Sequence, residues 1–515
     1  MPEKKIRTLY NKILPQWKIC FFTAVIIGIF THIYKITNWL PNWDSLVFRY
    51  DPQNMLALGR WFLPVICSVS SFYDLPFLNG ILAIIFHALG AVLICKAFNV
   101  KKGITAGLIG GLIASFPAVT SVMMYNYVAD GYAFSFLLIS LSFMLLNGEK
   151  PRYVLPAILI ALSVGIYQAY ITVAVLLILL KLIDELIFEK KDLSYLLKKT
   201  LKLILTGGAG MLLYYLVMTV LLKITSTELL EYQGLDSAVS LSGIGIWGFL
   251  YICKNTFLKY FFDFSAGFSI FSALNSVIIL LTVIFYITGL IKNKLYKSPG
   301  KLIYLVVCVF LFPVGGCILA FINSSMDYHN LMKMGFFVYY LFFILLYERM
   351  DFLKERERLV KSWGVLLLGS VLIFNHIVIA NVSFHKLQMA YEKSFGTLIR
   401  IADRIEQTEN SGECKEILVI GALPGSEAYS AVLPPDITGT TDGYILRADD
   451  ETVGQSVLCS TLNDYCGKEY DFLAGEEKQR MMKKDAVKMM GFWPEKDSIA
   501  VVDGVIVIKL GTESE

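Results

Sequence analysis

Apolar runs of about 20 residues, the length that crosses a hydrocarbon core, recur through the first three quarters of the chain and are broken by short polar stretches. They predict spans near residues 18–36, 76–96, 103–122, 129–147, 154–167, 169–187, 201–223, 269–291, 301–322, 331–347 and 363–383. The run around Tyr167 is too long for one crossing, and Gly165-Ile166-Tyr167-Gln168-Ala169-Tyr170 supplies a polar break that divides it. The texture changes beyond Phe384. Glu416-Ile417-Leu418-Val419-Ile420-Gly421 reads as a buried strand, and Ser498–Val502 and Val505–Lys509 flank Asp503-Gly504, a hairpin signal. The expected architecture is mainly α: a polytopic bundle of about 11 spans over residues 1–383, then a small α/β domain over 384–515 outside the membrane.

Composition agrees with this pattern. Of 515 residues 56% are hydrophobic, and the mean hydropathy is +0.61, values a soluble chain of this length rarely reaches. The formal charge of +4 hides an asymmetry: from Phe384 onward 14 Lys/Arg face 23 Asp/Glu, a net of −9, which leaves +13 for the preceding part. With a cytoplasmic N-terminus the inside segments hold about 24 Lys/Arg and the outside ones about six (Arg49, Arg60, Lys223, Lys254, Lys259 and Lys333), the bias expected of a cell-membrane protein with an odd number of crossings. The acidic tail is then extracytoplasmic. Such basic loops do not suggest nucleic acid. The first run follows Lys4, Lys5, Arg7, Lys12 and Lys18 but lacks a small-x-small cleavage site, so it reads as a retained helix.

Smaller signals have structural readings. Gly103, Gly107 and Gly111 share one face of a span and let another helix approach. The 224–268 segment, with Trp247, Tyr251, Phe257, Tyr260 and Phe261 interleaved with Lys254 and Lys259, predicts a surface-lying helix. Six of nine cysteines fall in or beside spans, while Cys459 and Cys466 could pair in an exported tail. His87 reads as packed core, and Asn375 and His376 carry little signal. No Walker loop, H-E-x-x-H, G-x-S-x-G or Cys/His cluster is present, so no metal or cofactor is implied, though Asp44 with Asp51 could bind a divalent metal.

The candidate chemistry gathers at the outer ends of the spans. Asp44 follows Trp39 and Trp43, residues that favour the membrane–water interface, and is placed as a general base or is an exposed loop carboxylate. Asp51 before Pro52 fits either a second acid or a helix N-cap. Arg60 can grip phosphate oxygens bidentately or bind lipid headgroups, and Arg49 stands nearby in sequence. Asn126 and Asp130 have no basic sequence neighbour, so recognition of sugar hydroxyls and catalysis stay open, as does helix capping by Asp130. Tyr167, Gln168 and Tyr170 interrupt an apolar run, either for substrate or for an interhelical hydrogen bond. Asp327, His329 and Lys333 belong to the last polar outside loop, where Lys333 either meets an anion or snorkels.

Together these residues resemble the bacterial glucosyltransferase II family. The likeness is carried by Asn42-Trp43-Asp44, Leu58-Gly59-Arg60-Trp61 and Ile166-Tyr167-Gln168-Ala169-Tyr170, then Gly491-Phe492-Trp493-Pro494 before Asp497-Ser498-Ile499. The resemblance implies a C-type (GT-C-like) glycosyltransferase. Its donor would be a polyprenyl-phosphate sugar, usually glucose, and its acceptor a cell-surface polysaccharide or glycolipid such as an O-antigen, reached on the outer face of the bacterial inner membrane. It places the catalytic carboxylate at Asp44. The wider superfamily often has two adjacent acids where this chain has Asp44-Ser45, so a second acid would be Asp51 or Asp130. The rival class is a flippase or exporter of lipid-linked sugars, but the chain has no evident internal repeat and such proteins need no folded acidic domain.

Overall fold

The computed structural model describes residues 2–47, 55–230, 245–263, 270–321, 328–350, 353–423, 437 and 454–511. The chain divides into two compact units, Met1–Asn38, Asp51–Asn381 and Val432–Thr438 in one, Trp39–Tyr50, Val382–Ala431 and Gly439–Glu515 in the other.

The secondary structure of the first unit's described residues is helical. Among the described residues eight helices are long and apolar enough to cross a membrane: Pro15–Thr37, Pro76–Ala97, Gly103–Met124, Asn126–Leu146, Leu193–Thr225, Ile270–Lys292, Pro299–Gly316 and Glu355–Gln407. Three expected spans are shorter. Val154–Ile166 and Ile171–Ile187 are separated where the polar break was expected, by an extended Tyr167 and a single 3₁₀ turn, Gln168–Tyr170. Phe337–Leu345 has only nine helical residues and follows two 3₁₀ turns, Asn330–Met332 and Met334–Phe336. The Gly103–Met124 span is interrupted at Phe116, which precedes Pro117 and is extended (φ −60°, ψ 137°) because proline excludes the α region for its predecessor.

Close packing explains the glycine face only in part. A Cβ on Gly110 would come within 2.4 Å of the Cys20 carbonyl oxygen on Pro15–Thr37, so Gly110, outside the expected triplet, marks the backbone approach. Gly103 meets the side chain of Ile19, and Gly111 those of Ile373 and Ile27. His87 is packed as expected, its Nδ1 2.8 Å from the Ala83 carbonyl oxygen and its ring stacked on Phe136. In Gly245–Phe262 Trp247 and Tyr251 are exposed, whereas Tyr260 and Phe261 are buried against Phe336.

At the far end of Ile171–Ile187 charges converge that the sequence had scattered over several segments. Arg349 donates from Nε and Nη2 to the fully buried Asp184, Lys181 lies 3.0 Å from Glu189, and Lys199 lies 2.6 Å from Glu185. Burial alone would raise the Glu189 pKa, but the Lys181 ammonium, with Arg349 and Lys191, outweighs it and holds the carboxyl below its ordinary 4.5. A depressed carboxyl stabilises the fold above pH 4.5 and loses that contribution as the pH falls through its lowered folded value. Thermal unfolding in detergent is therefore expected to show a wild-type advantage over Glu189→Gln at neutral pH that shrinks below pH 4.5; an advantage independent of pH would refute this assignment.

The second unit is a four-stranded sheet of order β2-β1-β4-β3, with β1 Glu416–Ile420, β2 Asp471–Phe472, β3 Ile499–Val502 and β4 Val505–Lys509. β1 runs parallel to β2 and β4, and β3 and β4 form the expected hairpin. Asp503 and Gly504 at its tip have φ of +49° and +79°, a pair of left-handed residues that matches the twist of the flanking strands. β1 and β4 are apolar at nearly every position because helices cover both faces of the sheet. Ile417, Val419, Ile506 and Ile508 pack against Leu398, Ile401, Ile405, Val457 and Leu462. Leu418, Ile420, Val505 and Val507 pack against Met481, Val487 and Met490. The side chains of Cys459 and Cys466, the expected pair, lie outside the described residues.

Candidate active site

Asp44 lies on a one-turn helix, Trp43–Val47. Asn42 caps that turn: its Oδ1 accepts the Ser45 N–H at 2.9 Å, and its carbonyl accepts the Leu46 N–H at 3.2 Å. Asp44 is 8% exposed, Ser45 is buried, and Leu46 is 2% exposed within the apolar core of the second unit. The carboxylate is therefore not on an open loop, the alternative that the sequence had left standing. Trp43 stands in the same turn, its side chain outside the described set. Arg49, Asp51 and Asp327 also lie outside the described residues.

Arg60 belongs to the first unit, on a loop gripped by several spans. Its backbone N–H donates to the Met55 carbonyl at 2.8 Å, and the Phe62 N–H donates to the Gly165 carbonyl at 2.8 Å. Gln168 Nε2 donates to the Leu58 carbonyl at 2.9 Å, and the Tyr214 hydroxyl donates to the Gly59 carbonyl at 3.0 Å. Gly59 has φ +72°, and a Cβ there would stand 2.8 Å from the Tyr214 hydroxyl, so the turn before Arg60 requires glycine. Trp61 packs over Gly165, where a Cβ would lie 2.6 Å from the indole.

The guanidinium is held in turn. Arg60 Nη1 donates to the Tyr132 hydroxyl at 3.1 Å, and its Cζ is 5.1 Å from the Tyr167 ring centroid, a cation–π distance. The Tyr132 and Tyr167 rings stack with centroids 4.5 Å apart and an interplanar angle of 17°, and Tyr170 meets Tyr167 edge-on at 6.0 Å. The structure thus brings Arg60, Tyr167, Gln168 and Tyr170 together. It adds Tyr132 and Tyr214, which sequence reading had not singled out. Tyr132 closes the polar run Met124–Tyr132 and offered a signal there; Tyr214 is one of eight Ser, Thr and Tyr residues in a 33-residue helix and offered none.

Asn126 and Asp130 lie one turn apart on Asn126–Leu146, fully buried and 2% exposed. Asn79 Nδ2 donates to the Asn126 carbonyl at 3.0 Å, while neither atom of the Asn126 side-chain amide has a partner among the described residues. The Ser70 hydroxyl donates to the Cys67 carbonyl at 3.1 Å, and the buried Asp130 Oδ1 has no hydrogen-bond partner among the described residues. Buried polar atoms inside a transmembrane bundle are costly unless satisfied, so this cluster is suited to take a polar ligand or water. Asp130 does not act as a cap, since it lies inside the helix, whose N-cap is Tyr125. Lys333 and His329 are half-buried around the 3₁₀ turn Asn330–Met332, with the Lys333 Nζ 5.8 Å from the Tyr260 ring. Among the described residues no group of three His, Cys, Asp or Glu side chains could hold a metal.

The family model for the glucosyl transferase GtrII matches residues 33–347 of this chain. The chain belongs to the GtrII glucosyl transferase family. No curated protein and no solved structure matches it. The GtrII match includes Asp44, Arg60, Asn126, Asp130, the Tyr167–Tyr170 turn and Lys333, and it stops before the sheet domain. With its apolar helices, this GtrII chain is a membrane glycosyltransferase.

Proposed function

We propose that this glycosyltransferase moves a sugar, glucose in the first instance, from a polyprenyl-phosphate donor to a cell-surface polysaccharide or glycolipid on the outer face of the bacterial inner membrane. The observation that carries this reading is the preorganised guanidinium of Arg60, fixed by the Tyr132 hydroxyl and the Tyr167 ring on a loop that Gln168 and Tyr214 hold in place. A fixed planar cation at the ends of apolar helices suits a phosphate anchored in lipid.

In this reading Asp44 accepts the proton of the acceptor hydroxyl as that oxygen attacks the anomeric carbon. The bond from that carbon to the phosphate oxygen breaks, and polyprenyl phosphate leaves with the bonding pair, its charge met by Arg60 with Lys333 and Arg49 in support. Asp51 or Asp130 supplies a second acid. Trp43, Asn126, Tyr167, Gln168, Tyr170, Asp327 and His329 contact the sugars. No nucleotide or cofactor is needed, because the phosphate-linked sugar carries the driving energy. The outward orientation rests on the Lys/Arg asymmetry of the loops.

The test is reconstitution of the purified protein in liposomes with labelled polyprenyl-phosphate glucose. The expected result is release of polyprenyl phosphate that depends on added polysaccharide acceptor. Labelled lipid that crosses the bilayer with its sugar bond intact would replace this reading with that of a flippase.

A further inference from the structure

The sheet itself lies beyond the GtrII match. Its hydrophobic core nevertheless contains one residue from far away in sequence. Leu46 is 2% exposed and belongs to the same apolar cluster as Leu398, Ile401, Val457, Leu458 and Leu462. The Ser460 hydroxyl, on the helix Gly454–Cys466, donates to the Leu46 carbonyl at 3.3 Å across 414 residues of sequence. Trp39, at the other end of the same segment, meets Tyr391 edge-on at 5.7 Å. Between these attachments sits the Asn42-capped turn that bears Asp44.

A one-turn helix cannot sustain itself, since too few hydrogen bonds repay the ordering of its backbone. Its persistence depends on what it packs against, and here that is the C-terminal domain. We propose that this domain is a positioning element of the transferase, with Leu46 as the anchor through which it sets the orientation of Asp44. The inference rests on the catalytic reading of Asp44 given above. Leu46 touches no substrate. It acts through the turn it fixes, so that loss of the anchor leaves the carboxylate present but misplaced. The cost falls on the chemical step rather than on donor binding.

The experiment uses the full-length protein in liposomes and compares Leu46→Ala, Leu46→Met and Val507→Ala. Val507 lies in the cluster on the opposite face of the same sheet, so its truncation weakens the domain without touching the Asp44 turn. Leu46→Ala is expected to lower kcat by about 10- to 100-fold, the scale of an ångström-sized misplacement, with the donor KM unchanged. Leu46→Met, which refills the volume, restores most of that loss, and Val507→Ala stays near wild type below its melting temperature. Amide exchange over residues 43–47, which needs no substrate, is expected to speed up in Leu46→Ala alone.

Full activity in a folded Leu46→Ala protein overturns the proposal, as does an equal loss in Leu46→Ala and Val507→Ala, because activity would then follow domain stability alone. If instead the wild type does not cleave polyprenyl-phosphate sugar, the functional reading fails, and the exchange measurement still decides whether the domain holds the turn.

Discussion

Asp44→Asn is expected to slow sugar transfer by about 10²- to 10⁴-fold, the range associated with loss of a positioned general base. The change is nearly isosteric, Asn42 still caps Ser45, and Leu46 keeps its place in the apolar core. The protein should therefore fold normally and bind donor with unchanged affinity. Its defect would appear in single-turnover release of polyprenyl phosphate at saturating donor. An acceptor hydroxyl near neutral pH is a poor nucleophile unless its proton leaves as the new bond forms, and an amide cannot take that proton. Wild-type turnover in Asp44→Asn would move the base to Asp51 or Asp130, and the same assay on Asp130→Asn would choose between them.

The second large effect concerns Arg60. Arg60→Lys is expected to reduce kcat by about 10²- to 10³-fold, as when one preorganised charge-stabilising donor is removed from an active site. Lysine keeps the charge but not the planar fork, and it cannot reproduce both the hydrogen bond to Tyr132 and a two-point grip on phosphate. The loss should therefore exceed anything that net charge explains, and Arg60→Ala should be only slightly worse. Tyr132→Phe, which keeps the ring stacked on Tyr167 and removes the hydroxyl partner of Arg60, should cost less on its own and little more when added to Arg60→Lys. A lysine variant with wild-type kcat would refute bidentate phosphate stabilisation. The loop itself is secured by backbone carbonyl contacts to Gln168 and Tyr214, so the melting temperature should barely change.

Much of this architecture could be read along the chain because membrane insertion and sheet formation follow local periodicity. The break at Tyr167, the Asp503-Gly504 hairpin and the buried strand β1 were legible in that way. The interruption at Phe116 was also written locally, in Pro117, though a continuous apolar run hid it. Span lengths were less legible. Hydropathy counts apolar residues whether or not they are helical, and the stretch before Phe337 is apolar yet forms 3₁₀ turns.

The sites divide in the same way. Arg60, Gln168 and Tyr170 stood out as polar residues in apolar surroundings, and the structure joins them around Tyr167. Tyr214 did not, because nothing along the helix sets its hydroxyl apart from those of Thr206, Tyr215 and Thr219 until the Gly59 carbonyl is placed beside it.

The sequence alone determined that this is a many-helix membrane protein with a small sheet domain, and it pointed to Asp44 and Arg60 as the residues to watch. Only the tertiary structure decided that Leu46 is core to a domain whose strands begin some 370 residues later, and that Tyr132 and Tyr167 hold the guanidinium. The physical reason is that hydrophobic and conformational preferences act between neighbours in the chain. The partners of a buried side chain are chosen by packing, which takes no account of distance along the sequence.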